Sequence, residues 1–304
     1  MANTVDQALQ TDVILDSFME ELKAALLPIH RFTTRFSSEQ LSETRKMLIP
    51  YVPCQPGGAS DLACGDCYSD CDTETEKREV AVDRRKYVCL SQDDCDFTFK
   101  NAFEIDRLAK QKAYNLASAV IQDILSVVTA ANYGAATFTG PPTSFDVESV
   151  LDLQQIASER FWPTEMRYLL LNAAYHRSLA GDTTILRSPC CDIAKDALQT
   201  GRFGEMLFGF DYNQSQTIPA NGENLVGMAL IPSAILVGSA VIAPPPGVRQ
   251  RLIDYREVTD DETGLTFVYK HLADENCNKD KHIIEVSYGY AVGEANGIQR
   301  IVSA

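Results

Sequence analysis

Cysteine is the residue type whose spacing in this sequence suggests chemistry. Of the nine cysteines, four lie within one acidic, glycine-containing segment with the spacing C-x9-C-x2-C-x3-C: Cys54, Cys64, Cys67 and Cys71. A deprotonated cysteine is a nucleophile and a metal ligand, and two cysteines with suitable geometry form a disulfide bond. These four residues are therefore the candidate functional residues of the chain.

The four cysteines are open to three interpretations. Disulfide bonds, within one chain or between chains, rank first, and free thiols in a solvated loop rank second. A metal site with four cysteine ligands ranks third, because a zinc site of this kind needs a second Cys-x2-Cys pair. The chain also has only four histidines, all far from this segment: His30, His176, His271 and His282.

The sequence contains no recognisable catalytic motif. It has no G-x-S-x-G, no glycine-rich loop ending in Lys-Ser/Thr, no H-E-x-x-H and no dinucleotide-binding fingerprint. The histidines occur singly, so each is expected to be a hydrogen-bonded structural residue. No enzymatic activity, cofactor or metal is therefore expected.

The chain carries a large excess of acidic residues, with 42 Asp and Glu against 27 Lys and Arg and a net charge of -15. Proteins that read nucleic acid normally present a basic face, and anionic membranes attract basic segments. Both kinds of partner are therefore disfavoured. With 304 residues, of which 45% are hydrophobic, the chain is long enough to form a substantial core.

Neither a secretory signal nor a membrane span is expected. Acidic residues interrupt the first 30 residues, where a signal peptide would need an apolar run. The uncharged stretch Leu225–Ala243 is long enough to span a bilayer, but Gly227, Pro232 and Gly238 interrupt it. A buried strand, Leu225–Ile231, followed by a buried helix beginning at Pro232 is predicted instead.

The sequence of the N-terminal third of the chain predicts a helix and a two-stranded ribbon. Asp12–Leu27 carries an apolar stripe at helical spacing, which suits a core helix or an arm that docks on a neighbouring subunit. Lys46–Val52 and Arg78–Ser91 have strand character, with the cysteine segment between them. Because an isolated ribbon is only marginally stable, it must contact the rest of this chain or another copy.

The sequence of the remaining two thirds of the chain predicts a long helix and a domain of short helices and strands. Phe103–Asn132 has the longest helical pattern, about 45 Å at 1.5 Å per residue. Ser144 is expected to cap a helix over Val147–Arg160, and Asn172 a helix that ends near Ala180. The predicted strands are Met166–Leu171, Leu252–Val258, Leu265–His271, His282–Val292 and Gln299–Val302.

Five segments, taken in order, resemble the major capsid protein of tailed double-stranded DNA bacteriophages, which has the HK-97-like fold. They are REVAVDRRKYVCLS leading into AFEIDRLAKQKAYNLASAVIQDIL, then MRYLLLNAAYHRSLAGD, TGRFGEMLFGFDYNQS, ENLVGMALIPSAILVGSAV and HIIEVSYGYAVGEANGIQRIVSA. No single segment is a specific fingerprint, and their order and spacing carry the resemblance. It extends over nearly the whole chain from about residue 12.

The resemblance implies an α+β fold with an N-terminal arm, an extended β-ribbon loop, a long spine helix, and peripheral and axial domains. The arm would comprise residues 1–35 and the extended loop residues 45–95. Residues 96–145 and 265–304 would form the peripheral domain with the spine helix. Residues 146–264 would form the axial domain.

The resemblance also implies a structural function. The chain would self-assemble as hexamers and pentamers into an icosahedral shell that encloses double-stranded DNA without sequence-specific binding. A scaffolding protein, a portal and a cement or decoration protein would be further partners, with no membrane. The protein would be assembled in the host cytoplasm and located in the virion. In this setting Cys54, Cys64, Cys67 and Cys71 would cross-link or stiffen the shell.

Three alternatives stay open at this stage. An encapsulin-like nanocompartment would keep the fold and enclose an enzyme instead of DNA. A thiol or zinc enzyme centred on residues 54–71 would contain stoichiometric zinc. A soluble binding protein would have a monomeric mass in solution.

Overall fold

The computed structural model divides the chain into two compact units. Unit 1 comprises Met1–Met47, Val80–Leu125 and Leu236–Ala291, and unit 2 comprises Leu48–Glu79, Ser126–Ile235 and Val292–Ala304. The structure describes residues 7–26, 29, 32–37, 45–54, 76–93, 102–182, 206–260, 263–274 and 277–304. Cys64, Cys67 and Cys71 therefore lie outside the described residues.

The described residues contain both α-helices and β-strands, as the sequence predicts. The helices are α1 Gln7–Ala25, α2 Ala102–Leu125, α3 Ala130–Tyr133, α4 Val147–Glu159, α5 Ala173–Ala180 and α6 Pro246–Arg249. The strands are β1 Thr33–Ser37, β2 Lys46–Tyr51, β3 Glu76–Ala81, β4 Arg84–Asp93, β5 Phe138–Thr139, β6 Tyr168–Leu171, β7 Met206–Leu207, β8 Phe210–Gln214, β9 Leu225–Leu230, β10 Ile235–Ala240, β11 Asp254–Thr259, β12 Thr266–Asp274, β13 Lys279–Val292 and β14 Ile298–Val302. The α+β class is confirmed.

Unit 1 is built around the 14-residue strand β13. The sheet has the order β1-β10-β13-β12-β11, and β4 also pairs with β13. The β12–β13 pair is antiparallel from Phe267↔Val286 to Asp274↔Lys279. The β11–β12 pair is antiparallel from Asp254↔His271 to Thr259↔Thr266, and just beyond it the Asp260 carboxylate accepts a 2.6 Å hydrogen bond from the Thr263 hydroxyl.

Helix α1 packs on α2 within unit 1. The Ser17 hydroxyl donates to Asp106 at 2.6 Å, and Lys110 lies 3.1 Å from Glu20. The apolar stripe predicted over Asp12–Leu27 is buried at Ile14, Phe18 and Leu22 of α1 and at Leu26, the residue after it. The stripe therefore belongs to the core of this unit.

Unit 2 contains a second six-stranded sheet, in the order β5-β14-β9-β6-β8-β7. Strand β9 lies antiparallel between β14 and β6, and β6 lies parallel to β8. Asn172 caps α5 as predicted, because its side chain accepts a hydrogen bond from the Tyr175 N–H. The predicted Ser144 cap is wrong. Ser144 lies in a 3-10 turn, and the Asp146 carboxylate caps α4 by accepting from the Ser149 N–H at 3.0 Å.

The long predicted helix over Phe103–Asn132 is shorter in the structure. Helix α2 ends at Leu125, and α3 begins separately at Ala130. The Ala130 N–H donates to the Glu223 carboxylate at 3.0 Å, a contact between residues far apart in sequence. This carboxylate satisfies a backbone donor that a continuous helix would have paired internally, so the helical pattern is broken before Ala130.

The predicted helix beginning at Pro232 is wrong. Pro232 opens a single 3-10 turn, Pro232–Ala234, and strand β10 follows, pairing in parallel with β1. Every residue of β10 is buried. An apolar run that is buried on all sides lacks the alternation that distinguishes a strand from a helix, which explains the wrong prediction. Among the described residues, no helix is both long and apolar enough to cross a membrane.

Two buried histidines face each other in unit 1. His271 and His282 are paired across β12 and β13, with ring centroids 4.3 Å apart. The Tyr269 hydroxyl lies 2.6 Å from His282 Nδ1, and an Asp280 carboxylate oxygen lies 3.8 Å from His271 Nε2. Burial, with a smaller contribution from His271, lowers the pKa of His282 to about 4.

We predict that the protein loses stability as the pH falls from about 6.5 towards 4. The unfolded chain binds a proton at the ordinary histidine pKa, whereas folded His282 stays neutral down to a pKa of about 4, so acid favours the unfolded chain. The loss from this residue is about 3 kcal/mol. Urea unfolding at pH 7 and pH 4.5 measures it. His282→Gln, which keeps a polar partner for Tyr269, should flatten the dependence, and equal slopes in both proteins would contradict the assignment.

Candidate functional site

The cysteine segment is joined to a two-stranded ribbon, as predicted, but the ribbon is shorter than predicted. The predicted strand Arg78–Ser91 is divided into β3 and β4, and β4 pairs with β13 of the unit 1 sheet and not with β2. Strands β2 and β3 form a separate two-stranded sheet, and residues 52–75 connect them. Side chains of β2 alternate, with Met47, Ile49 and Tyr51 buried. Leu48 and Val52 on the other side are 53% and 60% exposed. The ribbon therefore has one buried side and one apolar side open to solvent.

The ribbon root, defined as Arg45–Met47 and Val80–Val82, lies against two glycines of the unit 1 sheet. A Cβ atom at Gly238 would lie 2.5 Å from Met47 Sδ and 3.2 Å from Val80 Cγ1. A Cβ atom at Gly289 would overlap the Ala81 carbonyl group. The Val82 N–H donates to the Arg45 carbonyl at 2.9 Å and joins the two sides of the root. The root can therefore approach the sheet this closely only where side chains are missing.

We predict that Gly289→Ala displaces the ribbon root. The added methyl group meets backbone atoms of Ala81, which cannot move aside as a side chain can, so the free energy of unfolding should fall by about 3 kcal/mol or more. Urea unfolding measures the loss. Gly247→Ala is the matched control, because a Cβ atom there meets no atom within 4 Å. A Gly289→Ala protein as stable as the control would contradict this account of the root.

Cys54, three residues after the ribbon strand β2, binds a carboxylate of its own unit, unit 2, through its backbone N–H. Its backbone N–H lies 3.2 Å from both oxygens of Glu294. The Ser233 hydroxyl donates to the same carboxylate at 3.0 Å, and the Glu294 N–H donates to the Ser233 carbonyl at 2.9 Å. Burial raises the pKa of the Cys54 thiol to about 11, and the negative charge and hydrogen bond of Glu294 add to this rise. Cys54 is therefore a protonated thiol at neutral pH, the unreactive form.

The part of the chain that the structure describes contains no disulfide bond. Cys54, Cys89 and Cys277 are free cysteines. Cys64, Cys67 and Cys71 lie outside the described residues, so cross-linking through them stays a prediction. Among the residues that the structure describes, no group of three His, Cys, Asp or Glu side chains is arranged to hold a metal ion.

We predict that Glu294→Gln makes Cys54 more reactive. Removing the carboxylate charge brings the thiol pKa down from about 11, so the thiolate fraction at pH 8 increases, by about tenfold for each unit of pKa. Labelling with a disulfide reagent, followed by mass spectrometry of the Cys54 peptide, measures the rate. Cys277 in the same sample is the internal control and should react at an unchanged rate. An unchanged rate for Cys54 would show that Glu294 does not protect it.

Asp123 organises a polar cluster that the sequence did not indicate. Its carboxylate binds Arg84 of β4 at 2.6 Å and the Tyr288 hydroxyl of β13 at 2.7 Å. The Arg84 guanidinium also lies 4.4 Å from the centre of the Tyr290 ring. Helix α2 is thus joined to two strands of its own unit. The three groups come from distant parts of the sequence, so no local pattern could have shown them.

Comparison with solved structures finds the same fold in phage capsids. The chain matches a structure from Mycobacterium phage Che8 with 15% identity over 84% of each chain, at a TM-score of 0.54. It matches the capsid structure of the cyanophage P-SCSP1u with 13% identity, over 90% of this chain and 86% of that chain, at a TM-score of 0.56. It matches the asymmetric unit of the bacteriophage PhiM1 mature capsid with 12% identity, over 90% and 86%, at a TM-score of 0.53.

Comparison of sequences finds no match for this chain. No family model matches the chain. No curated protein matches it either. The assignment therefore rests on three-dimensional similarity over most of the chain: the protein has the α+β, HK-97-like fold found in phage capsid structures.

Proposed function

We propose that this chain is the major capsid protein of a tailed double-stranded DNA bacteriophage, with a structural and not an enzymatic role. The observation that carries the proposal is the match to phage capsid structures over 84–90% of this chain and 84–86% of theirs. Two proteins that share their whole architecture, and not only one domain, are expected to match over most of both chains.

The proposed assembly is an icosahedral shell of hexamers and pentamers that encloses DNA. The ribbon supports self-association, because Leu48 and Val52 on its open side are apolar and more than half exposed. A net charge of -15 suits a container for DNA, since sequence-independent binding to DNA comes from basic side chains. The shell would hold the DNA at high density without adhering to it.

The proposed domains follow the capsid arrangement. Residues 1–35 would form the N-terminal arm and residues 45–95 the extended loop. Residues 96–145 and 265–304 would form the peripheral domain, and residues 146–264 the axial domain. A scaffolding protein, a portal and a decoration protein are the further partners proposed, with assembly in the host cytoplasm and the mature protein in the virion.

Electron microscopy and sedimentation of the protein from expressing cells, with and without the scaffolding protein, test the proposal. Closed shells or flat sheets of hexamers are expected. A protein that stays monomeric both with and without the scaffolding protein would overturn the capsid assignment. Particles that contain an enzyme instead of nucleic acid would favour the nanocompartment, and stoichiometric zinc in a monomer would favour the thiol enzyme. Non-reducing gels of the same particles show whether disulfides join the subunits.

A further inference from the structure

The turn that ends helix α4 presents an exposed phenylalanine. Phe161, two residues after the helix ends at Glu159, is 58% exposed, whereas the next residue, Trp162, is buried. The backbone φ angle of Phe161 is 57°, in the left-handed region. A bulky residue adopts this region at a cost in free energy, whereas glycine adopts it freely. Phe161 therefore occupies a position that favours glycine, and its side chain gains little burial there.

The hydrogen bonds of this turn explain why position 161 is left-handed. The Phe161 N–H donates to the Ser158 carbonyl at 3.1 Å, and the Trp162 N–H donates to the Ala157 carbonyl at 2.9 Å. These two bonds form a Schellman motif, in which the left-handed residue is usually glycine. Glycine would close the helix at least as well as phenylalanine, so the phenyl ring is not explained by the stability of the turn.

Three side chains fix the turn while the phenyl ring stays exposed. Trp162 Nε1–H donates to the Asn296 carbonyl at 3.1 Å, and Arg160 Nη1–H donates to the same oxygen at 3.2 Å. Arg167 is buried and donates from Nη2 to the Trp162 carbonyl at 2.7 Å. An exposed aromatic residue on a fixed backbone loses little conformational entropy on binding, which is the property expected of an interface anchor.

The surface around this ring is apolar and acidic. We call Glu159, Phe161, Glu165 and Met166 the phenylalanine surface, and all four residues are exposed. The two arginines of the turn use their guanidinium groups to bind carbonyl oxygens, which leaves the two glutamates as its exposed charges. A partner for this surface therefore needs basic and apolar side chains together.

The connection between β10 and β11 has that character. We call residues 242–253 the arginine patch, which holds Arg249 and Arg251, both exposed, and no Asp or Glu. Its apolar side chains include Val248 and Ile253, each 50% exposed. Within the described part of the chain, neither arginine forms an ion pair. Both positive charges are therefore available to an acidic partner.

We propose that the phenylalanine surface of one copy binds the arginine patch of a second copy. The proposal rests on self-assembly, the proposed function, and names two surfaces that meet. Opposite charges steer two surfaces together and fix their register, while Phe161 and the apolar side chains opposite it are removed from water. Because the two surfaces differ, each copy uses both at once, and a contact of this kind closes into a ring.

Phe161→Gly in the full-length chain tests the anchor. Glycine suits the left-handed position, so the midpoint of urea unfolding should not fall. The protein concentration needed for shell assembly should rise by about tenfold, the scale expected for an interface anchor. Leu151→Ala is the matched control, because it removes another exposed apolar side chain of helix α4 outside the turn. It should leave the assembly concentration unchanged.

Charge reversal tests the partner. Arg251→Glu should raise the assembly concentration by about threefold, the scale expected for one exposed charge pair in each contact. Adding Glu159→Arg and Glu165→Arg to the Arg251→Glu protein should restore assembly. Arg177→Glu is the control, because Arg177 is also exposed and its reversal changes the net charge equally. The defect of Arg251→Glu should shrink at 1 M salt, where charges are screened.

The outcomes separate this inference from the proposed function. If the wild-type chain forms no shells with its scaffolding protein, the proposed function fails. If wild-type shells form and Phe161→Gly assembles as well as Leu151→Ala, the inference alone fails. A lower urea midpoint for Phe161→Gly would show that the ring stabilises the single chain, and would also overturn it. If the triple variant assembles no better than Arg251→Glu, the arginine patch is not the partner and the proposal is overturned.

Discussion

The close approach between the ribbon root and the unit 1 sheet is the constraint on which the ribbon depends. Ala81 lies so near β13 that position 289 cannot carry a side chain, and Met47 and Val80 occupy the space above Gly238. Among the described strands, β2 and β3 pair only with each other, and such a pair gains little stability from its own hydrogen bonds. The root is therefore held by its packing within unit 1, where it fits closely against two glycines.

The polar groups around the sheet of unit 1 reinforce the same arrangement. Glu285 lies 5% exposed and binds both Lys270 of β12 and Arg85 of β4. Arg84, the next residue of β4, binds Asp123 of α2 at 2.6 Å. Removing one partner of a buried ion pair leaves an uncompensated charge, which is far more costly than losing an exposed pair. Strand β4, which follows the ribbon directly, is thus fixed to the sheet on one side and to the long helix on the other.

The sequence predicts those parts of the fold that depend on local pattern. The ribbon strands, the Asn172 cap and the C-terminal strands follow from alternation and from side chains that bond within three residues. The predictions are wrong where contacts between residues distant in sequence determine the secondary structure. Glu223 interrupts the long helix by capping Ala130, and pairing with β1 makes a strand of the segment after Pro232. The role of Gly289 could not be predicted, because it depends on the residue lying above it.

In the candidate site, too, local spacing identifies the residues, whereas a contact with a distant residue determines their reactivity. Spacing alone treats the four cysteines as equivalent, yet Cys54 is bound to Glu294, a residue 240 positions away in sequence. A carboxylate beside a half-buried thiol suppresses the thiolate, whereas guanidinium groups beside a thiol favour it. Cys54 therefore contributes to the ribbon through its backbone N–H, which holds it to Glu294, and not through the chemistry of its thiol.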